Sequence, residues 1–148
     1  MTPSSTASSC CRCSTGGRTD GRHHVIGHRL VLPFPPSVNS IWKWTKRTVV
    51  RDPAYSAWLR TCDGCVYEQI VRPRQTIKGK YDLCVTLDSS RFGFVDQDNC
   101  LKATSDFLQR AALIENDKNA WHTELRWGPI RFFGGVPGAL VEVRAIDA

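Results

Sequence analysis

Hydrophobic positions along the chain fall into four stretches with the two-residue period of a strand and two with the period of a helix. In "HRLVLPFPP", Leu30 and Leu32 share one face of a short strand, and Pro33, Pro35 and Pro36 stop ladder pairing beyond it. "RDPAYSAWLRTCDGCVYEQIVRP" is the clearest helix: Asp52 suits the cap, Pro53 the first position, and Pro73 ends it. Its apolar stripe is Tyr55, Trp58, Leu59, Cys62, Val66 and Ile70, with Gly64 weakening the interior by about 1 kcal/mol relative to Ala. "KYDLCVTLD" sets Tyr81, Leu83, Val85 and Leu87 against Asp82, Cys84 and Thr86, the pattern of a half-buried strand. A second helix is predicted from Asp98 to about Leu113, with Leu101, Thr104, Leu108 and Ala112 on one flank, Cys100, Ala103, Phe107 and Ala111 beside them, and "ENDKN" as its break. "WHTELRW" and "ALVEVRAI" alternate again, and the Gly- and Pro-rich turn between them predicts an antiparallel hairpin.

Together these elements predict an α/β (α+β-like) fold: one compact domain with a mixed sheet of about four strands packed with two main helices. Residues 1–28, rich in Ser, Gly and Cys and without apolar periodicity, predict a disordered tail ahead of a folded domain over 29–148. No run of 18 or more apolar residues occurs, and the start lacks the apolar core of a secretory signal, so the chain reads as cytoplasmic with no membrane partner. In that compartment the seven cysteines read as thiols rather than disulfides. Cys10, Cys11 and Cys13 near His23 and His24 have the chemistry of zinc ligands, but no second regularly spaced couple follows. Cys62 and Cys65 fall inside the first helix, where packing accounts for them.

The net charge of +6 is unevenly spread. Residues 43–80 carry nine basic and three acidic side chains, whereas 81–148 carry seven basic and ten acidic. The basic half suits a polyanion such as nucleic acid, and the acidic half is where a divalent cation would be held. "NSIWKWTKRTVV" interleaves Trp42 and Trp44 with Lys43, Lys46 and Arg47, as in surfaces that meet phosphates with cations and bases with aromatic faces. Half-buried strand aromatics give the same pattern.

In "DQDN", Asp96 and Asp98 stand just before the second helix, whose start attracts phosphate, and Lys102 follows four residues after Asp98 on the same helical face. In extended backbone the two carboxylates would point to one side. Carboxylates for a hard cation with an ammonium beside them are the minimum set for metal-assisted phosphodiester hydrolysis. The alternative for the same residues is a helix capped by Asp98 or Asn99 with Asp96 solvated. A metal site needs a further ligand, for which Asp117 is the first candidate and Glu115 the second.

"LPFPPSVNSIW", a basic stretch, "AYSAWLR" and "DQDNCLKATSDFLQRAALIENDKNA" together resemble the RusA family of Holliday-junction resolvases, over about residues 29–146. The resemblance implies a RusA-like fold and a homodimeric, magnesium-dependent endonuclease of phage or bacterial origin, with Mn²⁺ able to substitute. It would cut four-way DNA junctions by paired phosphodiester hydrolysis in recombination and repair. The family's acidic cluster then falls on Asp96, Asp98 and Asp117, its lysine on Lys102, and its asparagine after the double proline on Asn39. Lys43, Lys46, Arg47, Arg51 and Arg91 would grip DNA phosphates. The chain departs from the pattern at Gln97 and Cys100, where apolar residues are usual, and at Asn116, which replaces a carboxylate. It also has Arg91 alone in "SSRFGFV", where the family has several basic residues. Three other readings stay open: a non-cleaving branched-DNA-binding protein of the same fold, a nuclease acting on flaps or forks, and a Cys-rich zinc-binding regulator.

Overall fold

The structure, a computed structural model, describes residues 26–37, 42–70 and 74–146, with Trp42–Trp44 described by their backbone only. Residues 1–25 of the predicted 1–28 tail, with the Cys10, Cys11, Cys13, His23 and His24 group, Asn39 and the Lys43 side chain, lie outside the described residues. The last residues of that predicted tail are ordered, since Gly27 and His28 already begin the first strand and pair with the last.

In chain order the elements are β1 (Gly27–Pro33), β2 (Trp42–Trp44), β3 (Val49–Arg51), α1 (Pro53–Gln69), β4 (Tyr81–Asp88), α2 (Gln97–Arg110), β5 (Ala120–Gly128) and β6 (Gly138–Ala145). Four strands form one mixed sheet in the order β1-β6-β4-β5, and β2 pairs with β3 as a separate antiparallel ribbon. The expected fold class, a mixed four-stranded sheet with two main helices, is the one observed.

The expected β5–β6 hairpin is not. β6 pairs antiparallel with both β1 and β4, and β5 pairs parallel with β4, so β4 lies between the two. A parallel pair needs a long crossover, and α2 supplies it between β4 and β5. The most continuously apolar strand takes the centre: every residue of β4 except Asp82 is buried. The alternation that predicted a half-solvated strand is real, but both edges of β4 are paired, and Cys84, Thr86 and Asp88 are buried with it.

α1 starts as its sequence predicts. Asp52 Oδ1 accepts from the Ala54 N–H at 2.8 Å, and Pro53 occupies the first turn. It buries Tyr55, Trp58, Leu59, Cys62, Cys65 and Val66, leaving Gly64 on its exposed side. The helix ends at Gln69, and Pro73 lies outside the described residues. Two side chains tie α1 to the edge strand: Trp58 Nε1 donates to the Pro33 carbonyl at 3.0 Å, and Gln69 both donates to the Val31 carbonyl at 2.8 Å and accepts from the Val31 N–H at 2.7 Å. An edge strand presents unpaired backbone groups, and Gln69 covers two of those on β1.

α2 buries Cys100, Ala103, Thr104, Phe107 and Leu108. It meets α1 where Phe107 sets its ring edge against Trp58, centroids 5.8 Å apart, and where Arg110 pairs with Asp63 at 3.3 Å. The helix stops in a Schellman turn. Leu113 N donates to Leu108 O at 3.0 Å, Ala112 N donates to Gln109 O at 3.1 Å, and Ala112 takes the left-handed conformation with φ 58°. That turn exposes Ala112, which the helical period had placed on the buried flank, and it sends the chain back toward β5. Cys62, Cys65 and Cys100 are free thiols, as expected, whereas Cys84 is disulfide-bonded. Among the described residues no helix is long and apolar enough to cross a membrane.

Candidate functional site

The register places the ends of β1, β4 and β5 and the start of β6 at one end of the sheet, through Pro33 opposite Gly138, Leu87 opposite Ala139 and Asp88 opposite Gly128. α2 begins at this end. In open α/β sheets this carboxyl end is where ligands bind, because the connections that leave it can be shaped freely. The double-proline segment also reaches it: Cys100 Sγ in the first turns of α2 lies 3.6 Å from the Pro35 carbonyl.

Asp96 is the cap of α2. Its backbone is extended (φ −88°, ψ 122°), and its Oδ1 accepts from the Asp98 N–H at 3.1 Å. The sequence had offered Asp98 or Asn99 as the cap; Asp98 instead sits within the first turn, so the two aspartates do not share one extended segment. Both are exposed, and both gain from the positive end of the helix dipole.

Lys102 is held between two carboxylates, Asp106 at 2.9 Å and Asp117 at 3.3 Å. Asp106 follows it by four residues on the same face, whereas Asp117 arrives from a single 3₁₀ turn over Asp117–Asn119, capped by Asn116. That turn is anchored twice through the Asp117 backbone: its N–H donates to Gln109 Oε1 at 3.1 Å, and its carbonyl accepts from the Tyr81 hydroxyl at 3.1 Å. The hydrogen bonds to Asp106 and then Asp117 hold the Lys102 pKa above the usual lysine value, so it stays cationic throughout the neutral range. Burial raises the Tyr81 pKa, with the Asp117 charge as the smaller contribution.

Three of the four predicted catalytic residues, Asp98, Lys102 and Asp117, therefore lie along one exposed face of α2, with Asp96 at its head. Asp117 reaches the face of α2 at Lys102, four residues beyond Asp98, a rise of about 6 Å along a helix. Among the described residues no group of three His, Cys, Asp or Glu side chains is arranged to hold a metal ion. Asp96 and Asp98 by themselves fit Mg²⁺ in donor chemistry: both are exposed hard oxygen ligands, and Mg²⁺ is commonly held by one or two carboxylates together with waters and substrate phosphate.

Of the predicted DNA-contacting residues, Lys46, Arg47, Arg51 and Arg91 are all exposed. Lys46 and Arg47 form the tip of the β2–β3 ribbon, where Thr45 and Thr48 hydrogen-bond across the turn, and Arg51 lies over the Tyr55 ring at 5.5 Å. Arg91 packs over Phe34 at 5.8 Å, beside the start of α2. Burial pushes the Cys100 thiol up to about 11, with Asp96 adding to the shift and Arg91 opposing it, so both charges lie near that thiol.

Sequence reasoning missed two features. Asp106 was detectable, since it repeats the four-residue step from Asp98 to Lys102. Asp88 was not, because a lone acid at a strand end resembles a turn residue. It is 1% exposed, accepts from the Ser90 hydroxyl and from Ile130 N–H at 3.0 Å, and faces Arg131 at 3.5 Å. It thereby ties the loop after β4 to the loop before β6. A cleft of about 390 Å³ lies on the polar face of the sheet, lined by Arg29, Asp82, Cys84, His122, Glu124 and Glu142 among others; it is separate from the Asp96 end. Compared with known proteins, the chain matches no family model and no curated sequence.

Proposed function

We propose that the protein is a Mg²⁺-dependent, structure-specific endonuclease that resolves four-way DNA junctions by paired phosphodiester hydrolysis, in DNA recombination and repair. The observation that carries this reading is the alignment of Asp96, Asp98, Lys102 and Asp117 along the head and one exposed face of α2, at the open end of the sheet. The same four residues carry the motif resemblance to the RusA family. Asp96 and Asp98 would hold Mg²⁺, whose chemistry there is to lower the pKa of a bound water and offset phosphate charge.

Lys102 meets the negative charge that develops on the phosphate, and its elevated pKa suits that role better than proton abstraction. Asp106 and Asp117 hold its ammonium in place. Arg91 and the ribbon cations Lys46, Arg47 and Arg51 supply salt-sensitive grip on the flanking phosphates. Homodimerisation follows from the near two-fold symmetry of a four-way junction, which needs one site on each of two opposing strands.

One observation favours a second reading. Asp117 is paired with Lys102, and among the described residues no three such side chains are grouped to hold a metal ion, which suits a protein of the same fold that binds branched DNA without cutting it. A single assay separates the two. Labelled four-way junction, fork and linear duplex are incubated with and without Mg²⁺, beside an Asp98→Asn variant. Mg²⁺-dependent paired nicking of the junction, lost in Asp98→Asn, supports the nuclease. Tight junction binding with no cleavage supports the binding protein, fork-selective cleavage reassigns the substrate, and cleavage that survives Asp98→Asn overturns the site.

A further inference from the structure

Three phenylalanine rings stand in solvent at the Asp96 end of the sheet. Phe92 is 67% exposed, Phe94 79% and Phe133 73%. Phe92 and Phe94 lie in the loop between β4 and α2, and Phe133 in the connection between β5 and β6. Isolated surface apolar groups need no explanation, but a group of rings on neighbouring loops marks an interaction surface.

These loops are braced. Phe92 N–H donates to Ser89 O and Phe94 N–H to Arg91 O, each at 3.1 Å, and the Phe92 ring meets the Trp127 ring edge-on at 5.6 Å. Phe133 packs edge-on against Phe132 at 5.1 Å. The buried Asp88 carboxylate joins the two loops through Ser90, Ile130 and Arg131. Gly93 separates the first two rings at φ 83°, a conformation that side chains resist, so the sharp turn that presents Phe94 is built into the sequence.

The charges around the rings indicate what they face. Arg91 sits between the Asp88 brace and Phe92, and Arg131 stands two residues before Phe133; both are exposed. The buried centre of a contact between protein copies is depleted in charge, whereas surfaces for single-stranded nucleic acid alternate cations with aromatic faces. Phe94 is also only two residues ahead of Asp96, so a base resting on it keeps its own backbone phosphate near the acidic pair.

We infer that Phe94, with Phe92 and Phe133, forms a stacking rim for bases that are unpaired or unstacked at a DNA branch point, with Arg91 and Arg131 on the adjoining phosphates. The inference rests on the branched-DNA reading above and adds to it the part of the substrate that this end of the sheet recognises.

The test uses the full chain, without Mg²⁺, and a four-way junction carrying 2-aminopurine at the branch, with a fully paired duplex of equal length as the comparison. Phe94→Ala is expected to weaken junction binding about tenfold, to leave duplex binding within about twofold, and to abolish the 2-aminopurine fluorescence change. Phe94→Trp should restore both affinity and signal. Arg91→Gln should weaken junction and duplex alike and flatten the salt dependence. If the wild type binds the junction but Phe94→Ala binds it equally well with the same fluorescence change, the rim is overturned while the branched-DNA reading stands. If the wild type binds no branched DNA, both fall together. If Phe94→Ala instead converts a dimer to a monomer in sedimentation, the rim is a contact between copies and the inference is overturned.

Discussion

The Lys102 ammonium donates to the Asp117 carboxylate at 3.3 Å across a chain separation of fifteen residues. The contact fastens the return of the chain after α2 to the exposed face of that helix. Because Lys102 also holds Asp106 at 2.9 Å and is more than half exposed, the pair belongs to the class that contributes at most about 1 kcal/mol to stability. Its value is positional: it fixes where one cation stands relative to Asp96 and Asp98.

That assignment separates charge from proton transfer. The two carboxylates keep the lysine pKa raised, so it does not titrate between pH 6 and pH 9. Under the proposed reaction, Lys102→Arg retains most junction cleavage, Lys102→Gln loses about a hundredfold, and the wild-type rate shows no limb from this residue between pH 6 and pH 9. A general base would instead fail equally as Arg and as Gln. Asp117→Asn should slow cleavage while shifting the urea midpoint little.

Gln69 offers a cleaner measure of stability. Its amide satisfies both the N–H and the carbonyl of Val31 on the outer edge of β1, at 2.7 and 2.8 Å. Gln69→Ala strands two part-buried backbone groups and is expected to cost about 1–3 kcal/mol in urea unfolding. It should also raise hydrogen exchange at the Val31 amide above that at Leu30 and Leu32.

Much of the fold was readable because its local signals agree. Leu30 and Leu32 are each 1% exposed, the Asp52–Pro53 start is used, and Cys100, Ala103, Thr104, Phe107 and Leu108 of the predicted α2 flank are buried. Strand pairing was not readable. "WHTELRW" and "ALVEVRAI" carry the alternation and the turn of a hairpin, yet the insertion of β4 between them depends on the α2 crossover and on burial of both β4 faces, neither of which is a local property. At the site, the four-residue step from Asp98 to Lys102 was visible in the sequence. The reach of Asp117 to Lys102 depends on the turn at Ala112, a non-glycine residue at positive φ that composition does not mark.

That turn carries a prediction of opposite sign. Ala112 occupies the left-handed position of the Schellman turn, where a Cβ costs about 1–2 kcal/mol and glycine does not. Part of the gain is offset by the greater freedom of glycine in the unfolded chain. Ala112→Gly should therefore stabilise the protein by about 0.5–1 kcal/mol, seen as a higher urea midpoint with an unchanged slope. An unchanged or lower midpoint would show that the turn is not held as described.

The Cys100 thiol gives an alkaline signature. It is fully buried against the Pro35 carbonyl, and burial raises its pKa from 9.0 to about 11. The folded value exceeds the unfolded one, so the stabilisation is fully present below pH 9 and is lost as the pH rises toward about 11. Within that window the thiol removes up to about 1.4 kcal/mol of stability per pH unit. Cys100→Ala should lower stability at pH 7 by leaving a small void, yet show a shallower decline between pH 9 and pH 11 in urea titrations at each pH. Equal slopes for the two proteins would contradict the burial of this thiol. At pH 8, Cys62, Cys65 and Cys100, all with raised pKa values, should resist iodoacetamide in the folded protein and react once it is unfolded in urea, as read by peptide mass.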